Sequence, residues 1–195
     1  MYAASGGHVG CARLLLQHSP DAQVTQSSRI GWNALMCASY SGHAECVALL
    51  LRHSPEVQMA AVTVSGSTAA VLAAELGHLS CLQLLLQHSP QHQLLDGALV
   101  RAAERWGWQL RREHDGGWAA YEPLQTYQRC VELLLSKGAM LTAQAPPEAF
   151  ALVRPVIQDL AARALVPDMA NQAAVQAVQE GKVSGDRKLG GDEVR

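Results

Sequence analysis

Histidine and cysteine recur at a spacing that invites a chemical reading. His8, His43 and His78 stand 35 residues apart, and so do Cys11, Cys46 and Cys81. A second set, His18, His53 and His88, keeps the same interval. Imidazole and thiolate are the ligands of zinc, but a site needs them to converge at ~2.0–2.3 Å in tetrahedral geometry. Residues placed equivalently in successive units form rows along an array, and rows do not converge. Disulfides fail for a related reason: equivalent positions in stacked helices lie about 8–10 Å apart, while a disulfide needs Cα atoms within ~7 Å. The thiols in register, Cys11, Cys46, Cys81 and Cys130, are therefore predicted to be buried, reduced and structural, with Cys37 similar. Acid–base chemistry has less support. Glu45, Glu75, Glu104 and Glu132 are scattered single carboxylates, and the chain has no Gly-x-Ser-x-Gly elbow, no Lys-bearing phosphate loop and no His-Glu-x-x-His. No catalytic residue, cofactor or metal is expected, and the chain is not expected to be an enzyme.

The elements that would position these residues follow from composition and periodicity. The chain has 195 residues, 49% of them apolar and only 5% aromatic, with a single Phe. A core must then be made of Leu, Ala and Val. A formal charge of −2 disfavours a nucleic-acid partner, which calls for clustered Lys and Arg. No apolar run approaches the ~20 residues of a membrane span, and the first residues lack the basic and long apolar segments of a secretory signal. Five cysteines do not make a disulfide scaffold at this length. These features predict a soluble helical protein inside the cell, in the cytoplasm rather than the nucleus.

Self-similarity decides the architecture. The segments 3–20, 38–55 and 73–90 align without gaps, each with a Gly-His pair, a Cys three residues later, a Leu triplet, and a closing His-Ser-Pro. Gly at the break permits positive φ. The Cys-x-x-Leu-Leu-Leu spacing sets apolar side chains on one helical stripe. Ser-Pro closes the second helix, because the residue before Pro avoids the helical region. Neither helix buries its stripe alone, so copies must stack as a solenoid. A fourth copy is interrupted. Ala102–Trp108 resembles its first helix and Cys130–Ala139 is its second. Gly77 to Leu84 spans seven residues but Gly107 to Leu133 spans 26, leaving an insertion of about 19.

These motifs resemble the ankyrin repeat. Gly66-Ser67-Thr68-Ala69-Ala70-Val71-Leu72-Ala73-Ala74-Glu75-Leu76-Gly77-His78 follows that family's turn and first helix, and Gly31-Trp32-Asn33-Ala34-Leu35-Met36 does so one copy earlier. Asn33 and Thr68 are suited to cap the first helices. The family's Pro is Ala34 and Ala69 here, and its first His is Met36 and Val71. The period exceeds the family's by two residues, which predicts longer connecting fingers. The resemblance implies an all-α helix-turn-helix solenoid with β-turn/hairpin fingers. The expected organisation is an array over 1–165, with repeats at 1–30, 31–65, 66–95 and 96–141. The insertion occupies 108–126 and a terminal helix pair broken at Pro155 occupies 146–165. A C-terminal helix over 166–180 and a disordered tail over 181–195 follow. Met1 occupies the position of Met36, so either the first copy frays or the natural protein is longer.

In the ankyrin family the finger tips and the exposed side of each first helix face one way and bind partner proteins. Carried over residue by residue, that implies contacts at Arg29, Ile30, Trp32, Tyr40, Ser41, Val64, Ser67, Glu75, Leu76 and Arg105. Trp32 and Tyr40 stand out, since exposed Trp, Tyr and Arg are enriched at interface hot spots. The alternative is that Trp32 lies over its own finger and Tyr40 merely shields the groove. In the same family the His after the turn Gly makes structural backbone hydrogen bonds. Trp108, Arg111, Arg112, Trp118 and Tyr121 cluster around the insertion, which is expected to be an ordered loop docked on the array. The function expected is non-catalytic scaffolding of another protein on the concave face. The rival reading is a recognition segment of a larger enzyme.

Overall fold

The computed structural model describes residues 1–18, 27–53, 55–88, 92–114, 124–141 and 145–162. Among them are ten helices: α1 (Tyr2–Ser5), α2 (Val9–His18), α3 (Ala34–Tyr40), α4 (Ala44–His53), α5 (Pro55–Met59), α6 (Ala69–Glu75), α7 (Leu79–His88), α8 (His92–His114), α9 (Leu124–Ser136) and α10 (Pro147–Ala162). The described residues contain no strand.

Each of the first three units is a short helix, a glycine break and a longer helix. The short helices are capped as their sequences predict. Asn33 Oδ1 accepts from Met36 N at 2.8 Å and Thr68 Oγ1 accepts from Val71 N at 3.3 Å. The break runs through Gly42 and Gly77 at φ 78° and 76°, a left-handed conformation that glycine adopts without a Cβ penalty. The first helices α1, α3, α6 and α8 lie side by side, and the second helices α2, α4, α7 and α9 form a parallel layer behind them. α10 covers α8 and α9.

The core lies between these layers. Leu50, Leu51, Leu85, Leu86, Leu134 and Leu135 of the Leu triplets are buried in it, with Ala38, Ala73, Ala74, Ala102 and Ala103 where the first helices approach one another. Small alanines allow that approach. Leucines behind them supply most of the apolar area, each worth ~1.5–3 kcal/mol on full burial.

Five features differ from the sequence expectations. The added connecting length between copies does not extend the finger. Pro55 opens the extra helix α5, as a proline at the first helical position can, and α5 rests on α4 and α3. In the fourth copy, α8 starts at His92, well ahead of Ala102. Arg101 stands 35 residues after Gly66, so the glycine that would turn a finger is missing, and Leu95, Ala98, Leu99, Ala102 and Ala103 form one buried stripe. Residues 108–114 continue that helix and Leu124 already begins α9, so much of the expected insertion loop is helical, while 115–123 lie outside the described residues. α10 passes through Pro155 as one helix. The carbonyl left without a donor belongs to Ala151, and both residues are on the exposed side, where water can serve it.

The fifth difference is a correction to the thiols. Cys46, Cys81 and Cys130 are buried and Cys37 is half-buried, but Cys11 is exposed. Cys46 is sealed between α2 and α4 and Cys81 between α4 and α7. Cys11 lies on the side of α2 against which no described helix stacks. The expected C-terminal helix and tail also lie outside the described residues.

Candidate functional site

Among the described residues two fingers are built on the same plan. Ser28 N donates to Trp32 O at 2.7 Å and Gly31 N to Ser28 O at 2.9 Å; 35 residues on, Thr63 N donates to Ser67 O and Gly66 N to Thr63 O, both at 2.9 Å. Gly31 and Gly66 take φ 81° and 79° at the equivalent corner. Val64 N donates to Ile30 O at 3.2 Å, so adjacent finger tips are joined through backbone. Hydroxyls stiffen the second tip: Thr63 Oγ1 accepts from Ser67 N at 2.9 Å and also meets Ser65 Oγ at 2.9 Å.

A residue that sequence reading overlooked holds the base of the first finger. Gln58, on α5, is fully buried; its Oε1 accepts from Leu35 N at 3.1 Å and its backbone carbonyl accepts from Asn33 Nδ2 at 2.8 Å. The signal was present, since Gln23 and Gln93 occupy the same position three residues after the repeat proline.

Successive units are pinned by the histidine after each glycine break. His43 Nε2 lies 3.0 Å from Ser5 O, and His78 Nε2 lies 3.0 Å from Tyr40 O. Each ring also lies against the glycine of the preceding copy. A Cβ on Gly7 would fall 2.7 Å from His43, and one on Gly42 would fall 2.8 Å from His78. In the fourth copy Tyr127 takes the histidine's place against the glycine, three residues before Cys130 as His78 is before Cys81. The Tyr127 ring is buried and a Cβ on Gly77 would approach it to 3.2 Å. His43, His78 and the buried cysteines thus serve the stack. Among the described residues no group of three or more His, Cys, Asp or Glu is placed to hold a metal ion. Burial pushes the Cys81 thiol up to about 11, with Cys46 adding to the effect. Burial and then Glu45 raise Cys46, and burial raises Cys37.

The ten partner-contact residues divide into those the fold gathers and those it does not. Ile30 and Val64 are 57% and 83% exposed on the joined tips. Trp32 is half-buried against the core and meets Tyr40 edge to face, ring centroids 5.2 Å apart. Trp32 therefore covers its own unit as well as bordering the surface, while Tyr40 remains 47% exposed. Ser41 is half-buried, its Oγ 3.4 Å from Ser5 Oγ in the previous copy. Ser67 and Leu76 are half-buried, and Arg29 is exposed.

Glu75 and Arg105 meet across a groove of about 260 Å³ that Arg101, Glu104, Trp108 and Arg111 complete. Arg101 bridges Glu75 at 3.3 Å and Glu104 at 3.4 Å, and Arg111 pairs with Glu148 of α10. The Arg105 guanidinium carbon lies 4.5 Å from the centroid of the Trp108 ring. Arg101, Glu104, Arg105, Trp108 and Arg111 follow the i, i+3, i+4, i+7, i+10 spacing of one helical stripe, a pattern visible only once α8 is read as a single helix.

Stacked two-helix units with joined finger turns define a helical repeat protein. Residues 1–61 match the family model for ankyrin repeats (3 copies), and the same helix pair recurs at Ala69–His88. A comparison with curated proteins finds no match. Ankyrin repeats generally mediate protein–protein interaction and are typically non-catalytic. Among the described residues no helix is long and apolar enough to cross a membrane.

Proposed function

We propose that the chain is a non-catalytic scaffold that binds another protein on the face made by its finger tips and first helices, the concave face of this family. The observation that carries the reading is the pair Ile30 and Val64. Two large apolar side chains are held out side by side on tips locked by a backbone hydrogen bond. Tyr40 extends the apolar strip inward, steadied by Trp32. A surface already ordered by hydrogen bonds loses little conformational entropy on association. Arg29, Ser41, Ser67, Glu75, Leu76 and Arg105 border the strip and would supply its polar rim. Five thiols outside any disulfide are in keeping with a reducing compartment, and we place the chain in the cytoplasm.

The test is affinity capture with mass spectrometry, followed by titration of the captured protein against variants. Trp32→Ala should weaken binding by ~2 kcal/mol or more if the aromatic pair is an anchor. Because Trp32 also touches the core, Val64→Asp supplies a second variant at a site too exposed to alter folding. Unchanged affinity for both, with unchanged circular dichroism, removes the proposal.

A further inference from the structure

We propose that the groove between α6 and α8 is a subsite for one acidic side chain of the partner protein, received by Arg105. The proposal rests on the interaction reading above and deepens it.

Three arginines line or flank this groove, and two are already matched. Arg101 engages both Glu75 and Glu104, and Arg111 engages Glu148. Arg105 lies over the Trp108 ring, and its Nε is buried without a hydrogen-bond acceptor among the described residues. A guanidinium resting on an indole uses its face and leaves its N–H edge, which lies in the plane, to seek an oxygen. A carboxylate fits that edge with two parallel hydrogen bonds, which an amide cannot reproduce.

The surroundings select how much negative charge enters. Glu75 and Glu104 stand on the groove wall, held in place by Arg101. Their charge repels any carboxylate that is not paired with Arg105. A single Asp or Glu flanked by uncharged residues therefore fits better than an acidic run. The groove adjoins the first-helix face at Glu75, so a segment crossing Tyr40 and Leu76 would present that side chain in passing.

The whole chain, labelled with 15N, reads the contact directly through arginine Nε–H resonances, with Arg105→Lys identifying the Arg105 signal by its disappearance. Sodium acetate, compared with acetamide and with sodium chloride at equal ionic strength, serves as the probe. Saturable movement of the Arg105 signal with acetate alone supports the subsite. No movement, or equal movement with chloride, overturns it. In the second arm, Arg105→Gln should weaken the captured partner about fivefold and flatten the salt dependence of what remains. If Val64→Asp abolishes binding while Arg105→Gln leaves it unchanged, the acidic subsite is wrong and the interaction face stands. If neither variant matters, both are wrong.

Discussion

Replacing Gly42 with alanine tests the joint between units. The residue sits at φ 78°, where an L-residue pays roughly 1–2 kcal/mol. The new Cβ would also lie 2.8 Å from Cε1 and Nδ1 of His78, closer than such atoms can approach, so the ring must move. Moving it breaks the contact from His78 Nε2 to Tyr40 O, a hydrogen bond worth about 0.5–1.5 kcal/mol. The combined loss is about 1.5–3.5 kcal/mol. Gly66 provides the control. Its φ is 79° but nothing lies within 4 Å of the place a methyl group would take there, so Gly66→Ala carries the backbone cost alone, about 1–2 kcal/mol. Urea unfolding followed by far-UV circular dichroism measures both. His78→Ala removes the ring, and in the double variant the clash has no target. The cycle should therefore show a favourable coupling of roughly 0.5–1.5 kcal/mol. Equal losses for Gly42→Ala and Gly66→Ala, with strict additivity in the cycle, would refute the pinning argument.

Leu85 and Leu15 hold the same repeat position, yet they are 1% and 44% exposed. Leu85→Ala should cost ~2–5 kcal/mol through a core cavity and Leu15→Ala no more than about 0.5, measured by the same unfolding curves. Asn33→Ala removes both a helix cap and the bond to Gln58 O, and a loss of about 1–2 kcal/mol is expected; a smaller loss than for an exposed Asn would show that α5 does not brace the finger. For the thiols, native alkylation near pH 8 followed by peptide mass spectrometry should label Cys11 and spare Cys46, Cys81 and Cys130 until the chain unfolds. The Cys81 thiol is raised from its usual 9.0 to about 11, so burial disfavours its thiolate. Its contribution is present below pH ~9 and is lost as pH climbs toward ~11, where the unfolded chain releases the proton more readily. Cys81→Ala should lessen that alkaline loss.

Much of the stack was legible because one set of residues says the same thing three times. Asn33 and Thr68 announce helix starts, Gly42 and Gly77 the breaks, and the Leu triplets the buried stripe. Legibility failed where the copies diverge. Alignment to the period hid the continuous helical stripe from Leu95 to Ala103, because a repeat boundary was expected there. Tyr127 was missed because it replaces a histidine, although its distance from Cys130 preserves the register. Pro155 read as a break because its exposed side, which lets the helix continue, is a property of packing. The proposed face was only partly open to sequence reading. The family resemblance pointed to Ile30, Tyr40 and Val64, but not to the ion pairs that bind Glu75 to Arg101, which depend on how α6 and α8 lie together.

The pin between units has a further consequence. The contact of Ser5 and Gly7 with His43 is repeated, atom for atom, where Tyr40 and Gly42 meet His78. The second unit thus carries on one flank the plug that the third carries, and on the other the socket that the first carries. Excising one whole period, residues 36–70, would bring His78 onto Ser5 and Gly7 with nothing to redesign. A shorter array built by such a cut should keep the histidine joint, so that the number of units can change without a change in how their first helices meet.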